Sequence, residues 1–547
     1  MNKTSLLALA AGSMLALALL APAPTTAASP KPPAPTGPVA IVDGKEVPVP
    51  AIPMGDRATI DAILREGTTN NQVMTHLAHL TKTIGPRLTG STRLEEANRW
   101  CKAQFELWGL KNARVEEWGT IATRFDRGPS RATAMLRDER EKDGQKTIEY
   151  RKVRDLQFSV QAWTKGTDGP VKGKVLRAPA DDAEYAAMKD QLKGAWILLP
   201  AEPAVGQRGV RGRLGTNFEA REQARKDLAE GKKPEEIKLP QRLIVDQVAG
   251  FISTTRDERV WTGGVPGWRE RKLDDIPDDL HLVVRLSDYD FLNSRLADGE
   301  PIELEVDLKH ELKAGPIPCY NTIAEIVGTE KPDEVVIISA HLDSWDGPGS
   351  QGATDNGTGS AVTLEAARIL AAVGARPKRT IRFIHWTGEE QGLLGARAYV
   401  KANKDQILKS VSACFVDDGG TNTQGGLPAA ANMVNYLAAA TAPVNFVFYS
   451  ETDGKYLNVN IRNTGETIGT HGSSDHAAFN QIGVPGFFWD EVGRADYGFG
   501  WHTQNDTFDI AIPEYLMQSA TCSAIVAYNL ACAPDLLPRV KKEEGKE

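Results

Sequence analysis

From about residue 320 onward, the sequence alternates apolar runs with polar loops and helical segments. "NTIAEIV", "EVVIISA", "TIRFIHWT" and "ACFV" are typical of buried strands, and "NFVFYS" and "GFFWD" are predicted as further strands. "GSAVTLEAARILAAVG", "LGARAYVKAN" and residues 513–532 carry the period of helices. Strands that alternate with helices form a mostly parallel sheet. The sequence therefore predicts an α/β fold with a mixed, largely parallel sheet flanked by helices.

Histidines and acids follow the apolar runs of this region. They are His341 after "EVVIISA", Glu389 and Glu390 after "TIRFIHWT", and Asp418 after "ACFV". Ligands of open α/β sheets bind at the loops beyond the carboxyl ends of the strands. We therefore expect these side chains to lie together at one edge of the sheet.

These loops supply a set of residues that suits zinc. The five candidate metal ligands are His341, Asp355, Glu390, Asp418 and His502. One catalytic zinc uses three protein ligands, whereas two zinc ions that share one bridging carboxylate use five. The set therefore predicts two zinc ions per chain. Asp343 is expected to accept the second ring N–H of His341, and one of the two adjacent acids of "GEE" is expected to bind metal while the other stays free as a general base.

The N-terminus predicts export. "MNKTSLLALAAGSMLALALLAPAPTTAAS" has a positive start, an apolar stretch and small residues near Ala28, as in a cleavable signal peptide over residues 1–28. The alternative is a membrane anchor, but the stretch is short for one. We expect a secreted or periplasmic protein without membrane contact after cleavage. The formal charge of −8 argues against nucleic acid as a partner.

The remaining regions differ in amino-acid composition and in hydrophobic pattern. Residues 29–55 are rich in proline and predict an extended linker, and residues 536–547 form a charged tail. Residues 130–304 contain short strand-like runs, interrupted by a charged segment at 217–240 that is typical of a solvated helix. Thr92 and Glu95 predict a capping box at the start of a helix. Five scattered cysteines do not form a disulfide framework.

Several motifs together resemble the co-catalytic zinc exopeptidases, a family with secreted bacterial aminopeptidases and glutamate carboxypeptidase. They are "HLDSWDGPGSQGATDNGTG", "WTGEEQGLLGA", "VDDGGT", "SSDHAAFNQIGVPG" and "WHTQNDT". The resemblance covers roughly residues 57–535. "HLDSWD", "RPKRTIRFIHWTGEEQG" and "GPRLTGS" are most similar to the carboxypeptidase Q branch. The charged segment at 217–240 and a histidine at position 476 depart from that branch.

The resemblance implies how the ligands are divided. His341 and Asp418 would hold one zinc, Glu390 and His502 the other, and Asp355 would bridge them. Glu389 would be the general base. Asp418 is preferred to Asp417 because it directly precedes "GGT". The resemblance also implies a peptidase domain formed by residues 56–129 and 305–535, with a protease-associated-like domain inserted at 130–304, and a homodimer.

The predicted function is hydrolysis of short peptides by a zinc exopeptidase, with dipeptides that carry a free N-terminus preferred. Five acids are left over on the motif loops, and one of them is expected to pair with the substrate ammonium; they are Asp346, Asp417, Asp475, Asp490 and Glu491. His471 is a candidate donor to the oxyanion. The alternatives are an aminopeptidase on longer peptides, a single-zinc glutaminyl cyclase, and a binding protein without catalysis.

Overall fold

The computed structural model describes residues 31–142, 145–201, 247–276, 280–468 and 474–539, together with scattered positions between 223 and 243. The predicted signal peptide at 1–28, most of the charged segment at 217–240 and residues 540–547 of the tail lie outside this description. Among the helices of the described ranges, none combines the length and the apolar character needed to cross a bilayer.

A six-stranded sheet forms the centre of the molecule. In spatial order its strands are Gly486–Phe488, Val411–Val416, Lys331–His341, Arg379–Trp386, Glu311–Ile326 and Lys111–Asp126. The first four are parallel to one another, and Glu311–Ile326 is antiparallel to both of its neighbours. This arrangement confirms the predicted mixed, largely parallel sheet.

Most of the described helices pack around the central sheet, whereas Asp182–Leu192 and Leu286–Ala297 pack against strands formed by residues 130–308. The α-helices are Arg57–Thr69, Val73–Ala78, Thr92–Leu107, Asp182–Leu192, Leu286–Ala297, Thr358–Ala372, Leu394–Ala402, Lys404–Ser410, Val434–Thr441, His476–Asn480, Tyr497–Gly500 and Pro513–Cys532. Shorter helical turns are His79–Ile84, Leu273–Asp275, Ala353–Gly357, Ala442–Val444 and Phe508–Ile510. The last long helix, Pro513–Cys532, packs against Thr358–Ala372 and the sheet. Their apolar side chains share one core with strand Lys331–His341.

A second sheet of eight strands is built from residues 130–308. In spatial order its strands are Gln145–Asp155, Ser130–Lys142, Ile302–Leu308, Val171–Arg177, Trp196–Leu198, Gly250–Thr254, Leu280–Val284 and Phe158–Ser159. Trp196, Leu282 and Leu304 are fully buried in a hydrophobic cluster of its own. We call this part the insert. Its last strand ends at Leu308 rather than at the predicted boundary, residue 304.

A smaller sheet corrects the prediction for residues 29–55. Its strands, in spatial order, are Lys45–Val47, Ala40–Val42, Asn460–Asn463, Thr423–Ala429 and Asp490–Val492. The supposed linker thus contains a hairpin, with Asp43 and Gly44 in the left-handed backbone region that a two-residue turn requires. The Asp-Gly pair outweighs the surrounding prolines, and Ala40 is fully buried.

Two further local predictions are wrong. "NFVFYS" forms a strand only at Tyr449–Ser450, where it pairs with Lys455–Tyr456, because Phe446 takes a left-handed turn conformation with φ of 65°. The helix Thr92–Leu107 is capped by Ser91, which accepts the Leu94 N–H at 3.2 Å. Glu95 binds Arg124 instead of closing a capping box. All five cysteines are buried and unpaired.

A buried ion cluster fastens the helix Thr358–Ala372 to the N-terminal helices. Glu365 is fully buried and accepts hydrogen bonds from His76 Nε2 at 3.0 Å and from Arg368 Nε at 2.8 Å. The main-chain N–H of Gln72 donates to the same carboxylate at 2.9 Å. Burial alone would raise the pKa of Glu365, but the bonds from His76 and Arg368 outweigh it and lower that pKa.

Replacing Glu365 with Gln should destabilise the protein by about 3 kcal/mol, because Arg368 loses its buried partner. The free energy of unfolding from urea denaturation measures this. The matched change Glu106→Gln, in a half-exposed pair with Lys102, should leave the urea midpoint almost unchanged. Because the pKa of Glu365 is lowered on folding, its contribution is present above the unfolded pKa and is lost as the pH falls through the folded pKa. Equal midpoints for the two variants near neutral pH would contradict this role.

Candidate active site

The candidate site lies at the carboxyl edge of the parallel strands. His341 is the last residue of Lys331–His341, and Asp418 follows the neighbouring strand Val411–Val416. Glu389 and Glu390 follow Arg379–Trp386, which lies on the other side of Lys331–His341. Adjacent parallel strands end at the same edge, so these side chains meet there, as the sequence predicts.

Loops contribute the remaining two candidate ligands. Asp355 lies in the turn Ala353–Gly357, immediately before the helix Thr358–Ala372. His502 follows the short helix Tyr497–Gly500, with its backbone in the left-handed region at φ of 55°. Both side chains are buried at the site. The structure thus brings together side chains that the chain order separates by up to about 160 residues.

Asp355 connects the two histidines of the site. Its Oδ1 lies 3.4 Å from His341 Nε2, and its Oδ2 lies 3.0 Å from His502 Nε2. Asp418 Oδ1 is 3.0 Å from His341 Nε2, and Glu390 Oε2 is 2.9 Å from His502 Nε2. Glu389 is more distant, with its Oε2 3.9 Å from His341 Nε2. Each histidine therefore has one carboxylate of its own and shares Asp355 with the other.

The pKa values of these groups reflect crowded negative charge. Burial raises the pKa of Glu390 to about 7, with a further contribution from Asp355. Burial also raises the pKa of Glu389 and of Asp418, although His341 opposes the change. Burial alone would lower the pKa of His502, but Glu390 and Asp355 outweigh it and raise that pKa to about 9. A positive charge at this position is strongly favoured.

The donor set fits two divalent metal ions. Two groups of three residues have ligand atoms within 4.8 Å of one another; they are His341, Glu389 and Asp418, and Asp355, Glu390 and His502. Imidazole and carboxylate ligands in this ratio suit zinc. Within the described residues, no lysine or arginine forms an ion pair with the four carboxylates. Two divalent ions would balance those four negative charges and leave both imidazoles neutral.

Asp343 is placed differently from the expectation. The Nδ1 of His341 faces the main-chain oxygen of Asp343 at 3.0 Å, while the Asp343 carboxylate lies 3.6 Å away. That carboxylate instead accepts the Glu389 and Glu390 N–H groups, each at 3.3 Å, and the Thr89 hydroxyl at 3.0 Å. Asp343 thus fixes the turn that carries the two glutamates.

Asp506 is a supporting residue that the sequence analysis missed. Its carboxylate accepts the Thr354 N–H at 2.5 Å and the Asp355 N–H at 3.3 Å. It stands four positions after His502 in "WHTQNDT", so it ties the His502 loop to the Asp355 turn. Burial, with a contribution from Asp355, raises the pKa of Asp506 to about 7. Only the three-dimensional proximity of the two loops identifies it.

The insert holds the loop that carries His502. The Thr262 N–H donates to the His502 carbonyl oxygen at 3.0 Å, and Trp261 forms an antiparallel bridge with Thr503. Gln504 accepts the Val260 N–H at 2.6 Å through Oε1 and donates to the Glu258 carbonyl at 2.8 Å through Nε2. These bonds stabilise the left-handed backbone at His502, which costs free energy in most residues.

A cavity of about 410 Å³ opens onto the candidate ligands. Beyond the acids and His502, the described residues that line it are Gly392, Leu393, Arg397, Phe488, Tyr497 and Trp501. The sequence does not predict Arg397 or Tyr497 as site residues. Burial and the nearby carboxylates raise the pKa of Tyr497 well above its usual value, so its hydroxyl keeps its proton.

The other predicted site residues do not line the described part of the cavity. His471 lies outside the described residues. None of the five surplus acids lines the described part of the cavity. Asp346 pairs with Arg127 at 3.1 Å, and Asp490 pairs with Arg462 at 2.6 Å. The expected partner of a substrate ammonium is therefore not found among the described lining residues.

Comparison with known proteins places this site in a family context. Residues 321–526, which include all six residues of the two groups, match the sequence profile of Peptidase family M28. Carboxypeptidase Q of Mus musculus is 27% identical over 487 residues, which cover 86% of this chain and 88% of that protein. Carboxypeptidase Q of Xenopus laevis is 31% identical over 308 residues, which cover 54% of this chain and 59% of that protein.

A solved structure shares the fold. The crystal structure of a peptidase M28 precursor from Shewanella amazonensis matches with a TM-score of 0.57 at 21% identity. The match covers 89% of this chain and 99% of the other. At this identity the likeness supports the fold alone. The predicted resemblance to the co-catalytic zinc exopeptidases is confirmed by the sequence matches.

Replacing Gln504 with Ala should weaken metal binding at Asp355, Glu390 and His502 by about 10-fold, because the loop that carries His502 loses two bonds to the insert. Zinc titration of the metal-free protein against a chromophoric chelator measures the affinity. The matched control is Gln406→Ala, an exposed glutamine on the helix Lys404–Ser410. Zinc affinities that are the same in both variants would contradict the supporting role of the insert.

Proposed function

We propose that this chain is a dinuclear zinc exopeptidase that hydrolyses short peptides, because residues 321–526 match the profile of Peptidase family M28 and contain the whole candidate ligand set. The observation that carries the proposal is the position of Asp355, which directs one carboxylate oxygen to each histidine. A shared carboxylate of this kind is what two neighbouring metal ions require. His341 and Asp418 would hold one ion, and Glu390 and His502 the other.

Glu389 is proposed as the general base. It lines the cavity, its side chain is 12% exposed, and it stands farther from His341 than Asp355 and Asp418 do. When bound, two zinc ions lower the pKa of a water molecule and polarise the scissile carbonyl. Glu389 accepts the proton of the attacking water and delivers it to the leaving amine.

The residues around the base support peptide binding. Phe488 and Trp501 give the cavity apolar walls against which a substrate side chain can pack. Tyr497 keeps its proton and is a candidate donor to the oxygen that becomes negative during attack. We also propose that the protein is exported, on the strength of the signal-like pattern over residues 1–28.

Exchange of Glu389 for Gln should lower kcat about 10²- to 10⁴-fold or more while both zinc ions stay bound, because only proton transfer is removed. The adjacent change Glu390→Gln is the matched comparison. It should lower zinc content as well as rate, since Glu390 Oε2 faces His502 at 2.9 Å. Steady-state kinetics on a dipeptide and elemental analysis of each variant give the two readouts.

A binding protein without catalysis would give a different result. If the wild-type protein with two zinc ions hydrolyses none of a panel of free, N-blocked and C-blocked dipeptides, the proposed activity is wrong. If Glu389→Gln turns over substrate at the wild-type rate, Glu389 is not the base.

A further inference from the structure

Arg397 is the cationic side chain that lines the described part of the candidate cavity. It lies on the helix Leu394–Ala402, which follows the turn that carries Glu389 and Glu390. Its side chain is exposed and forms no hydrogen bond or ion pair with any described residue. By contrast, Arg382 on a neighbouring strand binds both Glu325 and Tyr399, each at 2.6 Å.

The charges of the cavity indicate which substrate group Arg397 can bind. The cavity contains four carboxylates, those of Asp355, Glu389, Glu390 and Asp418. Under the proposed function, two divalent ions balance these four charges. Arg397, which also interacts electrostatically with the buried Asp475 outside the lining, then remains as the cationic group of the described lining, and no carboxylate of that lining is left to bind a substrate ammonium. The cavity therefore favours a substrate group with a negative charge.

We propose that Arg397 binds the α-carboxylate of the residue that leaves after peptide-bond cleavage. This inference rests on the proposed function and specifies which terminus of the peptide the site recognises. In a dipeptide, only the peptide nitrogen and one Cα separate the scissile carbonyl from the terminal carboxylate. A guanidinium on the wall of the same cavity can bind that carboxylate through two parallel N–H bonds.

The consequence is a preference for substrates with a free carboxyl terminus next to the scissile bond. A longer chain on the carboxyl side would place a neutral peptide group against Arg397 instead of a carboxylate. Dipeptides, and peptides that are cleaved at their last bond, present a carboxylate that can pair with the Arg397 guanidinium. C-terminal amides and esters of the same peptides do not present one. The site thus acts as a dipeptidase or carboxypeptidase rather than as an aminopeptidase on long peptides.

The test compares one dipeptide with its C-terminal amide. For the wild-type protein, kcat/KM should be about 10- to 100-fold higher for the free acid, the range expected for a hydrogen bond between charged groups. Arg397→Gln should remove this advantage and leave kcat/KM for the amide almost unchanged. Arg397→Lys should restore part of it. Lys401→Gln removes a positive charge from the same helix outside the cavity lining and should keep the wild-type ratio.

Binding gives a readout that does not depend on turnover. In the inactive Glu389→Gln background, calorimetry should show that adding Arg397→Gln weakens binding of the free dipeptide about 10- to 100-fold and leaves binding of the amide unchanged. Equal loss for acid and amide, or the same loss in the Lys401→Gln variant, would overturn the assignment. Wild-type hydrolysis of acid and amide at equal rates would also overturn it while leaving the exopeptidase proposal intact. Absence of any peptide hydrolysis would overturn both.

Discussion

Repulsion among four carboxylates at one edge of the central sheet is the constraint on which the site depends. Asp355, Glu389, Glu390 and Asp418 lie around two histidines and have no ion pair with lysine or arginine in the described chain. Burial raises the pKa of three of them, whereas hydrogen bonds from His341 and His502 lower the pKa of Asp355. Such an arrangement is stable only when strong positive charge lies among the acids, and the two proposed divalent ions would supply it.

The scaffold explains how the chain holds these charges together. Three adjacent parallel strands end at the same edge and deliver His341, the two glutamates and Asp418. The helix that follows Asp355 is fixed by the buried Glu365, and the loop of His502 is fixed by the insert. The insert is therefore part of the site as well as a separate sheet. This dependence explains why distant segments of the chain must fold together before the second group of ligands exists.

The sequence predicted the central sheet and the positions of the metal-binding candidates, because each acid or histidine directly follows an apolar strand or stands in a quoted motif. It could not predict that the His341 ring binds the Asp343 carbonyl instead of the carboxylate, since both oxygens belong to the same residue and differ by only 3.0 Å against 3.6 Å in their distance from the ring nitrogen. Arg397 looks like an ordinary residue on the exposed side of an amphipathic helix until the cavity beside it is known. The hairpin at Ala40–Val47 did have a local signal, Asp-Gly, which the prolines obscured.

The central claim is that Asp355 stands between two metal ions. Anomalous X-ray diffraction at the zinc absorption edge, from crystals of the zinc-loaded protein, tests it most directly. The account predicts two anomalous peaks, one next to His341 and Asp418 and the other next to Glu390 and His502, with Asp355 in contact with both. A single peak at the site under saturating zinc, or two peaks of which only one contacts Asp355, would contradict it.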